Sequence, residues 1–353
     1  MQSKIWENYL KLEKSTTFRL TDKDFDCLVV EKPTPFGSYF FLPYGPALTT
    51  VKPDSKNSAT ITQPQTSAKQ SISAAKNSLS KAIASLLRTE QAESAVFIRI
   101  EPAFPFSTSD IASAAKTALK ISKSTKTAAK SLKIAKTKDL DPKYTWVLDL
   151  KTQTEEEILK NMESRKVRYW RNAEKKGITL RTSKNPEDIT ILTNFLKNLG
   201  EKDNFTPQDE NHLKNQLKAG DFATLYIADY TNPETQKTAP IAAALIYDFD
   251  GVRYYAHAAT DFEHRKFQAG SIILIQMILD AKNAGAKIYD FWGITKSEDK
   301  NHPWYHFTQY KKSFGGREVT YAGTYDIILN PVKYRLYNLA RRGNRFLRRV
   351  IKK

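Results

Sequence analysis

His302 and His306 stand four residues apart, the spacing at which one face of a helix offers two imidazoles to a metal ion. Pro303 occupies the place where a metalloprotease of that kind carries its glutamate base, and no third ligand is evident, so no metal is expected. The single cysteine, Cys27, excludes an intramolecular disulfide framework, dithiol redox chemistry and a multi-cysteine zinc site. The sequence has no GxSxG elbow, P-loop or GxGxxG turn, which removes the commonest serine-hydrolase, NTPase and dinucleotide-binding chemistries. Contact with phosphate is what the residue types do allow. Lys116, Lys120, Lys123, Lys126, Lys130, Lys133 and Lys136 recur every three or four residues, which makes one stripe on a helix. Near the C-terminus, Arg341, Arg342, Arg345, Arg348 and Arg349 lie between Val332, Leu336, Leu339, Phe346, Leu347 and Val350. Those apolar residues fall at helical spacing, the pattern of a basic amphipathic helix at a membrane surface or against phosphates.

The chain has 353 residues, 56 Lys or Arg against 38 Asp or Glu, and a formal net charge of +18. Residues 111–138 carry eight lysines and no acid, and residues 331–353 carry nine basic residues and no acid. These two segments hold all but one unit of the excess, so a near-neutral body carries two local basic elements. Their natural partner is an extended polyanion, either nucleic acid or an anionic membrane face. Hydrophobic residues make up 40% of the chain, enough for a sizeable core, and the length fits two domains. The N-terminus has no apolar signal region, and the longest apolar run, Ile241 to Tyr247, falls far short of a bilayer span. The expected location is the cytoplasm.

The elements that must position any site read as follows. Helix 3–14 leads to strands 26–30 and 38–42 and the turn Pro43-Tyr44-Gly45-Pro46. A polar loop at 52–66, a helix at 67–89, a buried strand at 95–100, the lysine-striped helix and a strand at 144–150 complete a first half. The second half opens at Thr154, which caps a helix running to Lys176 and ended by Gly177. Strand 178–181, helices 187–199 and 207–219, strands 224–229, 240–247 and 252–260, helix 268–284 and strand 287–292 follow. Residues 317–329 read as one more strand before the tail helix. The order helix, helix, antiparallel strands, long helix, strand is that of a GNAT-type acyltransferase, and the first half reads as a degenerate version of it. A GNAT enzyme cradles pyrophosphate at a glycine-rich helix start. Here the corresponding turn is Arg265-Lys-Phe-Gln268-Ala-Gly270, where Gln268 replaces the first glycine and impairs close approach.

A set of further motifs stands in a fixed order. They are Gln2-Ser3 with Trp6, Tyr44-Gly45-Pro46, Arg99-Ile-Glu101-Pro102 and Arg171 to Gly177. Ile288-Tyr-Asp-Phe-Trp-Gly-Ile294, Tyr305 to Gly316, Tyr321-Ala-Gly-Thr-Tyr-Asp326 and Asn330-Pro331 follow. In this order and spacing they resemble the Fem-type (FemABX) family, non-ribosomal peptidyltransferases that add amino acids from aminoacyl-tRNA to peptidoglycan precursors. The resemblance implies an α+β chain of two GNAT-like domains without a coiled-coil arm, residues 1–150 completed by 321–353 and residues 151–320. It implies Lys311 and Glu101 as catalytic residues. Tyr310, Lys311 and Lys312 would meet the tRNA end, with Tyr310 stacking on the terminal adenine. Lys11, Tyr255 and His257 would meet the precursor.

The chemistry implied needs few catalytic side chains. The aminoacyl ester is already activated, so the enzyme aligns an amine with it and stabilises the oxyanion that develops. No cofactor is expected beyond aminoacyl-tRNA as co-substrate. Where precursor-binding members place an arginine and a tyrosine, this chain has Gln208 and His212. That favours lipid II over a soluble UDP-linked precursor. A monomer touching the inner, anionic face of the membrane is expected. The alternatives are an acetyl-CoA-dependent N-acyltransferase and an inactive relative that binds RNA or membrane.

Overall fold

The computed structural model describes residues 2–48, 68–122, 132–203 and 205–351, and the chain divides into two compact units. Unit 1 comprises residues 1–143 and 321–353, and unit 2 comprises residues 144–320.

Unit 1 opens with helix α1 (Lys4–Leu12) and a meander of β1 (Thr16–Asp22), β2 (Phe25–Thr34) and β3 (Gly37–Pro43). The short β4 (Ala47–Leu48) pairs back on β2. Helix α2 (Ala68–Leu87) then crosses over to β5 (Ala95–Glu101), followed by α3 (Thr108–Ser122) and β6 (Lys133–Lys136). The chain returns after unit 2 with β14 (Tyr325–Ile328) and α10 (Pro331–Ile351). The sheet order is β1-β2-β3-β5-β14-β6, antiparallel except for the central pair β3 and β5. β5 is buried along its whole length, as a central strand covered on both faces must be. Its core partners include Leu79, Ile83 and Leu86 of α2 and Ile111, Ala114 and Ala118 of α3.

Unit 2 contains β7 (Tyr144–Asp149), α4 (Glu155–Lys160), α5 (Ser164–Arg171), β8 (Ile178–Ser183), α6 (Ile189–Asp203) and α7 (Glu210–Lys218). A second meander, β9 (Ala223–Thr231), β10 (Thr238–Phe249) and β11 (Val252–Thr260), leads to α8 (Ala269–Asn283) and β12 (Ile288–Gly293). α9 (Tyr305–Lys312) and β13 (Arg317–Thr320) complete it. The sheet order is β13-β7-β12-β11-β10-β9-β8, again antiparallel except for one central pair, β11 and β12. α8 is apolar nearly all round, with Ile272, Ile273, Leu274, Ile275, Met277 and Ile278 buried, as a helix sunk into a core requires.

Each unit is therefore a three-strand antiparallel meander, a crossover helix and a parallel return strand. This is the GNAT-like arrangement, present twice in one α+β chain. The two copies differ in how the return strand meets the meander. β3 and β5 stay paired from Ser38↔Ala95 to Pro43↔Glu101. β11 and β12 pair only from Val252↔Ile288 to Tyr254↔Asp290 and then part. α6 and α7, where a coiled-coil arm would be inserted, are helices of 15 and 9 residues.

Several expectations change. The break between units falls after Lys143, seven residues before the expected 150, because β7 pairs with β12 and β13. β1 is a further strand that the residue pattern does not announce. The run 317–329 is two strands in different sheets, divided at Gly323, whose φ is +82°. A Cβ there would meet Asp139 Oδ1 at 2.5 Å, so glycine is required on both counts. The helix from Thr154 splits at 161–163, where the Glu163 amide donates to the Ser313 carbonyl at 2.9 Å. The lysine stripe is not one helix. Lys116 and Lys120 lie on α3, Lys133 and Lys136 lie on strand β6, and Lys123, Lys126 and Lys130 fall outside the described residues, as does the loop 52–66. Hydrogen bonding to β14 overrides the helical spacing of the last two lysines.

Candidate active site

The parting of β11 and β12 follows from a bulge in β12. Trp292 adopts a left-handed conformation, φ +66°, rare for a bulky residue, and the register with β7 shifts between Asp290 and Gly293. The buried Asp290 carboxylate holds that bulge: Oδ1 accepts from the Trp292 amide at 2.7 Å and from the Thr145 hydroxyl. The bulge aims the Gly293 carbonyl at α9, where Lys311 Nζ donates to it at 2.6 Å. Lys311 is 1% exposed, and its ammonium sits 4.0 Å from the centroid of the Phe307 ring.

A lysine so enclosed resists carrying charge. Burial pushes its pKa down to about 7, while the Asp290 charge pulls upward. Burial pushes Asp290 up to about 6, against its hydrogen bonds from Thr145 and Trp292 and against Lys311. The two groups thus titrate around neutrality, in surroundings that spacing along the chain does not reveal. Asp290 lies within one of the ordered motifs, and its only local signal is an acid inside an otherwise apolar strand, Ile288 to Trp292.

The neighbours of Lys311 are placed differently from it. Tyr310 is half-buried, edge-on to Phe314 at 5.2 Å, with the Lys166 ammonium 5.2 Å from its ring centroid. Its hydroxyl is hydrogen-bonded to Ser271 at the start of α8, and burial raises it to about 12. Lys312 is exposed and lies 5.4 Å from the Trp146 ring centroid.

Tyr255 and His257 are not brought together. Residues two apart on a strand share a face, but a bulge at Ala256 intervenes, with Leu245↔His257 followed by Ile246↔Tyr255. Tyr255 is 8% exposed and packs in the core with α8 residues. His257 lies edge-on to Tyr247, whose hydroxyl donates to Gln216 of α7. Burial, with His212 as the second cause, pushes His257 down to about 4, so it is neutral at physiological pH. His302 precedes α9 rather than lying on it, and its Nδ1 accepts from the Trp304 amide at 3.0 Å. Among the described residues no group of three or more His, Cys, Asp or Glu is arranged to hold a metal ion.

In unit 1, Lys11 stands exposed on α1 and pairs with Glu7 at 3.0 Å. Glu101 ends β5 and is 4% exposed. Its Oε1 accepts from the amides of Leu140 at 2.9 Å and Asp141 at 3.2 Å, and from the Thr324 hydroxyl. Its Oε2 is buried and receives no amide or hydroxyl. The Asp141 carboxyl lies against it, pushed up to about 8 first by burial and then by the Glu101 charge. Both causes favour the protonated form of Asp141. Sequence reasoning finds Glu101 and misses Asp141, since nothing local marks Asp141 out.

Other motifs are structural. Ser3 caps α1, accepting from the Trp6 amide at 3.1 Å. Gln2 ties β2 to β3, donating to the Pro43 carbonyl at 2.6 Å and accepting from the Leu28 amide at 2.6 Å. A Cβ on Gly45 would meet Gln2 Nε2 at 2.6 Å, so the turn needs glycine there.

Comparison with known proteins agrees with this architecture. Residues 1–231 and 224–342 match the FemAB family. The lipid II:glycine glycyltransferase of Staphylococcus epidermidis (strain RP62A) is 23% identical over 255 residues, 56% of this chain and 61% of that protein. The chain thus spans less than two thirds of that relative's length. A lipid II:glycine glycyltransferase of Staphylococcus haemolyticus (strain JCSC1435) is 28% identical over 96 residues, 27% of this chain and 23% of that one. The crystal structure of FemX superposes with a TM-score of 0.72 over 94% of this chain and 93% of its own, at 19% identity. L-PGS from Bacillus licheniformis superposes with a TM-score of 0.50 over 92% and 87%, at 12% identity. At those identities the structural likeness is one of fold. The family match runs through residue 342 of 353, and the chain belongs to the FemAB family.

Proposed function

We propose that this protein transfers an amino acid from aminoacyl-tRNA to a primary amine on the stem peptide of a peptidoglycan precursor, lipid II. The observation that carries the reading is Lys311: an enclosed amine, fixed by the Gly293 carbonyl beside the parting of β11 and β12. Family membership and the names of the glycyltransferase relatives support the reaction class.

In this reaction the acceptor nitrogen attacks the ester carbonyl carbon. A C–N bond forms, the C–O bond to the terminal ribose breaks, and the proton lost by nitrogen ends on the ribose oxygen. Negative charge builds on the carbonyl oxygen in between. The Lys311 cation opposes that charge in a site that excludes water, where electrostatic stabilisation is strongest. Lys312, exposed beside it, takes backbone phosphate, and Tyr310 supports the terminal base. In unit 1, Glu101, with the Asp141 carboxyl against it, is assigned to the acceptor amine. Lys11 and His257 are assigned to precursor contact. Aminoacyl-tRNA serves as co-substrate with no further cofactor, and the protein works as a monomer at the inner face of the membrane.

Incubation with charged tRNAs and lipid II, followed by mass spectrometry, tests this. The expected product is lipid II heavier by one or more aminoacyl residues, dependent on charged tRNA. Acetylation of the acceptor from acetyl-CoA, or no tRNA-dependent product, defeats it.

A further inference from the structure

α10 has two opposed faces, one packed and one exposed. One face is held by unit 1. Tyr334 donates to Asp326 Oδ2 at 2.9 Å, the Tyr337 ring lies 5.0 Å from that of Phe97, and Arg341 covers the Tyr337 ring at 5.9 Å. At 100° per residue, positions 334, 337 and 341 lie together on one side of a helix. The opposite side carries Val332, Leu336 and Leu339, spaced i, i+4, i+7, and these are 68%, 43% and 61% exposed. Three large aliphatic side chains in one exposed row are an uncovered apolar stripe.

Cations flank that stripe. Arg335 and Arg342 are exposed on one border, and Lys333 is half-exposed on the other. No acidic residue follows Asp326 in the chain, and the apolar register continues in the sequence at Phe346 and Val350. The helix runs from Pro331 to Ile351, 21 residues, or about 30 Å. Aliphatic residues along the midline with cations at the borders match the layering of a lipid surface, apolar below and anionic at headgroup level. They do not match a nucleic-acid surface. There the cations would occupy the midline, because phosphates lie outermost and leucine gains nothing from them.

We propose that α10 is a membrane-docking helix. Its Val332–Leu336–Leu339 face enters an anionic bilayer interface, with Arg335, Arg342 and Lys333 at the phosphates and Tyr334 and Tyr337 clamping it to unit 1. Docking begins at the first turn of the helix rather than in its arginine-rich end. It deepens the proposed function by naming the surface that brings the protein to a lipid-borne substrate, and it rests on that reading only for its purpose. The binding itself requires no transfer.

The test uses the full chain and two variants, Leu336→Glu with Leu339→Glu and Arg335→Gln with Arg342→Gln. Each is co-sedimented with vesicles of phosphatidylcholine alone and of phosphatidylcholine with phosphatidylglycerol, and titrated separately with tRNA. All four side chains are exposed, and unchanged melting temperatures confirm folding. The wild type is expected to prefer the phosphatidylglycerol vesicles. The leucine variant should lose at least about tenfold in partitioning to them and keep its tRNA affinity. The arginine variant should lose the preference for phosphatidylglycerol. Equal vesicle binding by the leucine variant and wild type overturns the proposal, as does a loss confined to tRNA binding. Transfer to a lipid-free precursor analogue is measured alongside. If the wild type binds vesicles but transfers nothing, the reaction assignment falls and the docking surface stands.

Discussion

Arg99 and Asp326, 227 positions apart in the chain, form a buried two-toothed ion pair, Nε to Oδ1 at 2.7 Å and the second guanidinium nitrogen to Oδ2 at 2.8 Å. The guanidinium lies near the rings of Tyr39 and Phe97, and Tyr334 donates to the same carboxylate. The pair locks the returning strand β14 onto β5 and, through Tyr334, seats α10. Arg99→Ala should destabilise unit 1 by about 3–5 kcal/mol, since it strands a buried carboxylate. The combined change Arg99→Met and Asp326→Leu should recover much of that loss. Denaturant unfolding of the three proteins measures both effects.

Lys311→Met should reduce tRNA-dependent transfer by at least about a hundredfold. It should leave the melting temperature at pH 6 equal or higher, because the wild type there buries a charged amine that the thioether does not replace. Near-normal turnover would remove Lys311 from the chemistry.

Transfer should be bell-shaped against pH. It should rise as Asp290 ionises around 6 and fall as Lys311 loses its proton around 7, the two limbs belonging to the pair. The Asp290 charge holds the proton on Lys311. Asp290→Asn should therefore move the alkaline limb to lower pH, while the amide oxygen can still accept from Trp292. A profile of kcat against pH for both proteins decides this. An unmoved alkaline limb would mean that Asp290 serves the bulge alone.

Asp141 gives a stability prediction of definite sign. Its carboxyl is raised in the folded protein to about 8 from 3.8, so between those values the native state holds a proton that the unfolded chain does not. Its contribution is fully present below about 3.8 and is lost progressively as pH rises from there through about 8. Asp141→Asn should gain on the wild type progressively from about pH 4 to about pH 8 and melt several degrees higher near pH 9. Melting curves across that range measure the difference.

Lys116 and Lys120 project from α3, and Lys133 and Lys136 are exposed on β6. Replacing all four with glutamine should weaken tRNA binding and make its log–log salt slope shallower by roughly 0.7–0.9 for each phosphate the variant no longer neutralises. An unchanged slope would make these lysines a solvated surface.

Much of the fold was fixed by local rules that the sequence obeys alone. The apolar run of α8, the apolar strand runs of the second meander, the caps Ser3 and Thr154, and the paired faces of α10 all follow from side-chain pattern and capping chemistry. The order of short motifs pointed to the family and to Lys311 and Glu101. Tertiary structure decided what those residues are. Spacing cannot say that Lys311 is buried against Gly293, that Asp290 lies within its electrostatic reach, or that Asp141 lies against Glu101. A group's desolvation and its charged neighbours depend on chain segments brought together from elsewhere in the sequence, and these set the acidity of a side chain. For the same reason Lys133 and Lys136 left the helical stripe for a strand once β14 offered its edge, and one extra residue at Ala256 sent Tyr255 and His257 to different neighbours. Period is a property of a segment, whereas burial and pairing are properties of the whole fold.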